Sequence, residues 1–178
     1  DRLTEEELVA FAILLFGAGH ETTSNLIGNG LVQLFGHPGE QARFRDDPTC
    51  RRNGVEELVR FDSPVQLVQR TSLEQIEIDG ETIPAGRLII GLLGSANRDP
   101  DRFERPDELD LEREHCQPMS FGFGIHHCIG AWLARAEAEI ALSMLLEQFD
   151  GLRLAVESPR WRPSIIFRGL ESLPVRWN

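Results

Sequence analysis

The stretch from Thr4 to Gly39 limits the fold more than any other. Thr4 followed by Glu7 makes a capping box, in which the two side chains satisfy free N–H groups at a helix start. Leu8, Val9, Phe11, Ala12, Ile13, Leu14, Leu15 and Phe16 come next. They are apolar on every face, and a helix apolar all round is one that other elements must surround. The pattern predicts a helix as far as Phe35, where His37-Pro38-Gly39 stops it; that is roughly 30 residues, or about 45 Å at the α-helical rise. A buried rod of that length needs neighbours on all sides, and the 178-residue chain has little left to supply them. The chain also opens at Asp1 without Met, straight into this helix. Both features lead to the expectation that residues 1–178 are the C-terminal portion of a larger domain whose N-terminal portion is absent.

Two shorter helices are expected, about Gln41–Asp46 before Asp47-Pro48 and Gly54–Phe61 before Ser63-Pro64. The period then changes. Ile76-Glu77-Ile78 and Glu81-Thr82-Ile83 flank Asp79-Gly80, the signature of a tight hairpin, and Leu88–Leu92 is a further apolar strand. Residues 96–119 are irregular, and a loop this long is functional or held by something else. A last helix is expected from about Ile129 to Phe149, with Leu133, Ala136, Ile140 and Met144 on one apolar stripe and Gly151 as its cap. Short strands follow at Leu152–Val156, Ser164–Phe167 and Pro174–Trp177. The fold class is therefore mainly α with small β-sheets.

Charge and cysteine use narrow the function. A net charge of -11 argues against binding nucleic acid or an anionic membrane. The apolar run Leu8 to Gly19 is too short to span a bilayer and is closed by His20 and Glu21. Cys50, Cys116 and Cys128 are too few and too scattered for a disulfide framework, so a reducing cytoplasm is the expected compartment.

The chemistry gathers at Phe121-Gly122-Phe123-Gly124-Ile125-His126-His127-Cys128-Ile129-Gly130. This places a cysteine at the expected start of a helix, where unpaired N–H groups and the positive dipole end favour a thiolate. Such a thiolate suits a soft or borderline metal. Gly130 removes a side chain beside it, so a flat group could lie close to the backbone. A buried, inert cysteine is the plainer reading. Zinc is another, through His115, Cys116, His126, His127 and Cys128, although their spacing is poor for a tetrahedral site.

The ten residues resemble the haem loop of the cytochrome P-450 family, Phe-Gly-x-Gly-x-His/Arg-x-Cys-x-Gly, at every fixed position. The resemblance implies haem b with Cys128 as its axial ligand, the thiolate ligation that favours O–O cleavage. It also implies that Phe121 packs near the haem and His126 bonds a propionate. Ala18-Gly19-His20-Glu21-Thr22-Thr23 is similar to the family's oxygen-binding helix. Taken alone it is a polar patch in a packing seam. By resemblance Gly19 opens a groove for dioxygen, and Glu21 and Thr22 deliver protons as general acids. Glu57 and Arg60, three apart on a helix, match the family's buried Glu-x-x-Arg pair, to which a structural role is assigned. The pair's usual third member is an Arg in a Pro-Glu-Arg-Phe-like stretch; here Pro106-Asp107-Glu108-Leu109 stands there, which leaves Arg113 and Arg105 as candidates. Arg70, otherwise a surface residue on an edge strand, is implied to reach a propionate. Val65–Val68 and Ile165–Gly169 correspond to substrate-lining segments.

The resemblance therefore implies a bacterial, soluble monooxygenase that inserts one atom of dioxygen into a small apolar organic substrate by hydroxylation or epoxidation. Electrons would pass from NAD(P)H through a ferredoxin reductase and a ferredoxin, the latter docking on the face around Cys128 and Arg135. The alternative is a truncated, inactive module that holds haem or another metal.

Overall fold

A computed structural model describes residues 2–178. The capping box forms as the sequence predicts. Thr4 Oγ1 accepts from the Glu7 N–H at 3.2 Å, and Glu7 Oε2 accepts from the Thr4 N–H at 2.8 Å. Helix α1 then runs from Glu5 to Gly36. Only its second half is enclosed. Thr23, Asn25, Leu26, Asn29, Gly30, Leu31 and Leu34 are buried, whereas Ile13 is 68% and Phe16 76% exposed. The expectation of a helix buried along its whole length is thus corrected for its first turns. Among the described residues, α2 (Pro38–Asp46), α3 (Arg51–Phe61), α5 (Ala131–Gln148) and β5 (Arg153–Leu154) pack against α1.

The core lies between these helices. Leu26, Leu31 and Leu34 of α1 meet Phe44 of α2, Val55, Leu58 and Val59 of α3, and Leu142 and Leu146 of α5. Gly54 allows α2 and α3 to approach closely, since a Cβ there would lie 3.1 Å from the Phe44 ring. On α5 the stripe expected from periodicity is not the buried one. Leu133, Ala136, Ile140 and Met144 are exposed, and Ala131, Ala138, Leu142, Ser143 and Leu146 are buried. The helix is apolar on two faces, so its own pattern could not say which one the other helices cover. Phe149 rather than Gly151 is its C-cap. Gly151 instead takes a left-handed φ of 65° in the turn closed by Leu152 N–H to the Phe149 carbonyl.

The strands form three antiparallel pairs. β2 (Ile76–Ile78) and β3 (Glu81–Ile83) make the expected hairpin, with Asp79 at φ 51° and Gly80 at φ 82°, as a two-residue turn of this hand requires. β4 (Leu88–Leu92) pairs with β1 (Leu67–Thr71), and a short helix α4 (Leu93–Ala96) follows. β5 pairs with β6 (Val175–Arg176). Ser164–Phe167 is not a regular strand but the tip of a hairpin bridged by Trp161 and Leu170. The molecule is mainly helical with small sheets, and no described helix is long and apolar enough to cross a membrane.

Candidate functional site

The cysteine loop is shaped by its glycines. Gly122 has φ 71° and ψ -169°, a region essentially restricted to glycine, and Gly124 has φ 66°. A Cβ on Gly122 would also lie 3.3 Å from the His126 carbonyl oxygen. The Cys128 N–H donates to the Phe121 carbonyl at 2.8 Å and closes the loop. Cys128 therefore stands just ahead of α5, whose N-cap is Gly130. Its thiol is exposed, and Sγ lies 3.9 Å from where a Cβ on Gly130 would be. Phe123, Ile125 and Ile129 beside it are 83%, 97% and 82% exposed.

The other two cysteines are differently placed. Cys50 is buried, with Sγ 3.6 Å from the Arg43 carbonyl. Cys116 Sγ lies 3.5 Å from Glu57 Oε2. Burial pushes both thiols up, and Asp47 beside Cys50 and Glu57 beside Cys116 push in the same direction. Neither is poised to give a thiolate. His115, Cys116, His126, His127 and Cys128 do not gather into a group that could hold a metal ion among the described residues, so the zinc reading has no ligand set.

A buried ionic network supports the loop from below. Glu57 and Arg60 form a two-point pair, Nε to Oε2 at 2.7 Å and Nη2 to Oε1 at 2.8 Å, with both side chains fully buried. Arg113 is the third member, its Nε 3.0 Å from Glu57 Oε2, while Arg105 pairs with Glu108 at the surface. The Glu108 carbonyl accepts from both Arg60 and Arg113, so position 108 serves the network through its backbone. Arg60 Nη1 then reaches the Asn97 carbonyl at 2.8 Å. Asn97, fully buried, donates to Ser120 Oγ and accepts from the Met119 N–H, each at 2.8 Å. Asn97 links the ionic network to the start of the cysteine loop. Its sequence signal is slight, a single Asn before Arg98-Asp99-Pro100.

Phe121 and Arg135 are mutually engaged. The Arg135 guanidinium lies 4.2 Å from the Phe121 ring centroid and pairs with both carboxylate oxygens of Glu56. Arg135, expected on the partner-docking face around Cys128, is thus ion-paired within the chain. Arg70 sits on β1 opposite Ile89, exposed, and donates to the neighbouring Gln69 carbonyl at 2.7 Å.

On α1, Thr22 Oγ1 donates back to the Ala18 carbonyl at 2.6 Å, and Ser24 Oγ donates to the His20 carbonyl at 2.8 Å. Thr23 is buried and Thr22 is not. A Cβ on Gly19 would meet nothing within 4 Å, so this face is open. Glu21 Oε1 accepts from Arg162 Nη1 at 3.2 Å. The two stretches expected to line a pocket also meet: Val65 bridges Phe167, and the Gln66 N–H donates to the Ile166 carbonyl at 2.8 Å. The α1 residues and the cysteine loop each keep their own partners; the packing of α1 on α5 relates them.

Comparison with known proteins places the chain in a family. The model described as Cytochrome P-450 matches residues 1–48 and 52–160. Cytochrome P-450 107B1 of Saccharopolyspora erythraea is 49% identical over 179 residues, covering 99% of this chain and 44% of the relative. Vitamin D(3) 25-hydroxylase of Pseudonocardia autotrophica is 46% identical over 98% of this chain and 44% of its own length. The crystal structure of P-450BioI in complex with acyl carrier protein ligated with hexadec-9Z-enoic acid matches with a TM-score of 0.97 and 46% identity, covering all of this chain and 46% of that one. The chain thus spans less than half the length of the relatives it matches.

Proposed function

The chain belongs to the cytochrome P-450 family, and from that premise we propose that it carries the haem-thiolate site of a monooxygenase acting on an apolar organic substrate by hydroxylation or epoxidation. The observation that carries this reading is Cys128: an exposed thiol on a glycine-shaped loop, tied by its own N–H to the Phe121 carbonyl, with Gly130 leaving space near its sulfur. The residues fit a haem. A flat apolar group needs a soft donor at the surface, open space beside it and apolar neighbours, and Cys128, Gly130 and the exposed Phe123, Ile125 and Ile129 offer these. Cys128 would ligate the iron, with Phe121, Gly122 and Gly124 shaping the loop. His126 and Arg70 would hold the propionates. Haem b, when bound, supplies the one-electron chemistry that activates dioxygen.

The chain's own residues have two tasks. Gly19 leaves room at the open face of α1 for dioxygen. Thr22 donates its proton to the Ala18 carbonyl, which leaves its oxygen free to accept a hydrogen bond from water. Glu21, half exposed, exchanges protons with solvent, while Arg162 restrains its carboxylate. Together they form a proton path at the open face. Electrons would come from NAD(P)H through a ferredoxin reductase and a ferredoxin meeting the face around Cys128. With Arg135 paired to Glu56, Arg52, whose guanidinium lies over the exposed Trp132 ring, is a second cation on that face. A 25-hydroxylase of vitamin D(3) and a structure bearing a hexadecenoyl chain among the relatives support an apolar substrate. The three free cysteines agree with a cytoplasmic location.

The test is the absorption spectrum of the haem-loaded protein, reduced under carbon monoxide. The expected result is the thiolate-haem band at the wavelength that gives the family its name, lost in Cys128→Ser. Retention of that band in Cys128→Ser would overturn the ligand assignment.

A further inference from the structure

Residues 160–171 form a hairpin: Arg162 N–H donates to the Gly169 carbonyl and Glu171 N–H to the Arg160 carbonyl, both at 2.9 Å. Ser164 Oγ holds its tip by accepting from the N–H groups of Ile166 and Phe167 at 3.3 and 3.1 Å. Ile165 at the tip is 81% exposed. The tip is joined to the stretch after α3 through Gln66 N–H to the Ile166 carbonyl and Arg168 N–H to the Pro64 carbonyl, both at 2.8 Å. These are irregular segments, so their position depends on what holds them from outside.

That support comes from α1. Asn25, Asn29 and Gln33 are spaced four apart and so lie along one side of the helix. Asn29 is fully buried; its Nδ2 donates to the Arg168 carbonyl at 3.0 Å and reaches the Asp62 carbonyl at 3.5 Å. One side-chain amide therefore bonds the backbone just before the first segment and just after the hairpin tip. Around it, Asp62 accepts from Arg168 Nε at 2.5 Å and from Gln33 Nε2 at 2.7 Å. The Arg168 guanidinium lies 3.7 Å from the Trp161 ring centroid, which anchors the hairpin stem to the same pair. Asn25 packs directly on the hairpin backbone, since a Cβ on Gly169 would fall 2.1 Å from its Oδ1.

We propose that Asn29, together with the Asp62–Arg168 pair, is a positioning device for substrate selection. It sets where the Ile165 tip stands relative to α1, whose Glu21 accepts from Arg162 of the same hairpin at 3.2 Å next to the open Gly19 face. These residues act through the backbone they hold and touch no reacting group. The proposal rests on the monooxygenase reading only in taking Val65–Val68 and Ile165–Gly169 as substrate-facing.

Hydrogen exchange on the purified protein tests it without haem or turnover. In Asn29→Leu, similar in volume but without donors, amides in 62–68 and 162–170 are expected to exchange about tenfold faster, with α3 and α5 unchanged. Arg168→Gln should have a smaller effect of the same pattern, and Arg168→Lys should lessen it. Unchanged exchange in those segments, or a rise shared equally by α3 and α5, would overturn the proposal. In the haem-loaded protein, the midpoint for spectral titration with dodecanoic acid, used as an apolar probe, should rise about threefold or more in Asn29→Leu; an unmoved midpoint rejects the role in selection. Absence of a thiolate spectrum in the parent protein would instead count against the monooxygenase reading, and the exchange result would stand apart from it.

Discussion

Glu57 answers two guanidinium groups with one carboxylate in a place water does not reach. Arg60 and Arg113 lie on its two oxygens, the Asp110 N–H donates to one of them at 3.0 Å, and the Arg guanidinium protons left over go to backbone carbonyls. Such a cluster contributes little net stability, because desolvation offsets most of the Coulombic gain. Removing one member is another matter. Glu57→Gln leaves two buried cations uncompensated and should destabilise the protein by about 3 kcal/mol or more, read as a fall in the thermal midpoint. Arg105→Ala, at a side chain 56% exposed, should stay within about 0.5 kcal/mol of the parent. Equal effects of the two would contradict the assignment of Arg113 as third member.

At the scale of elements, the cysteine loop shows how a turn is specified. Two left-handed glycines bend it, one N–H closes it on Phe121, and Asn97 ties its beginning to α3 through Arg60. Gly122→Ala is expected to cost about 1–3 kcal/mol, since alanine does not adopt this backbone conformation readily. The loosened loop should bind haem less tightly, measured by transfer of haem to an acceptor protein. Unchanged retention and an unchanged thermal midpoint in Gly122→Ala would show that the loop is not strained by a side chain there. The same segment shows the limit of reading a helix start from sequence: the pattern puts Cys128 at the start of a helix from about Ile129, whereas α5 begins at Ala131, capped by Gly130, and Cys128 lies ahead of both.

At the scale of the whole molecule, the described structure is unevenly covered. Leu8, Val9, Phe11, Ile13, Leu14, Leu15 and Phe16 form a contiguous exposed apolar surface along the first half of α1, and Leu88, Ile90 and Leu92 expose one side of β4. Surfaces of this kind associate in water. The 178-residue chain should therefore show concentration-dependent association by light scattering, and Ile13→Glu with Phe16→Glu should reduce it. Scattering that is flat with concentration in the parent would contradict this.

What the sequence determined by itself was local. The Thr4–Glu7 capping box, the stop at His37-Pro38-Gly39, the Asp79-Gly80 hairpin and the glycines around Cys128 each depend on residues within a few positions of one another, so their chemistry can be read from the chain. The ten residues of the cysteine loop carry the resemblance to the family on their own. Only the tertiary structure decided matters that rest on pairs far apart. It chose Arg113 over Arg105, turned Leu142 rather than Ile140 to the core, and paired Arg135 with Glu56. It brought Asn29 to the carbonyls of Asp62 and Arg168, residues 33 and 139 positions away. A side chain's periodicity says that it has a face; which partners that face meets is set by how helices pack, and packing is a property of the whole chain.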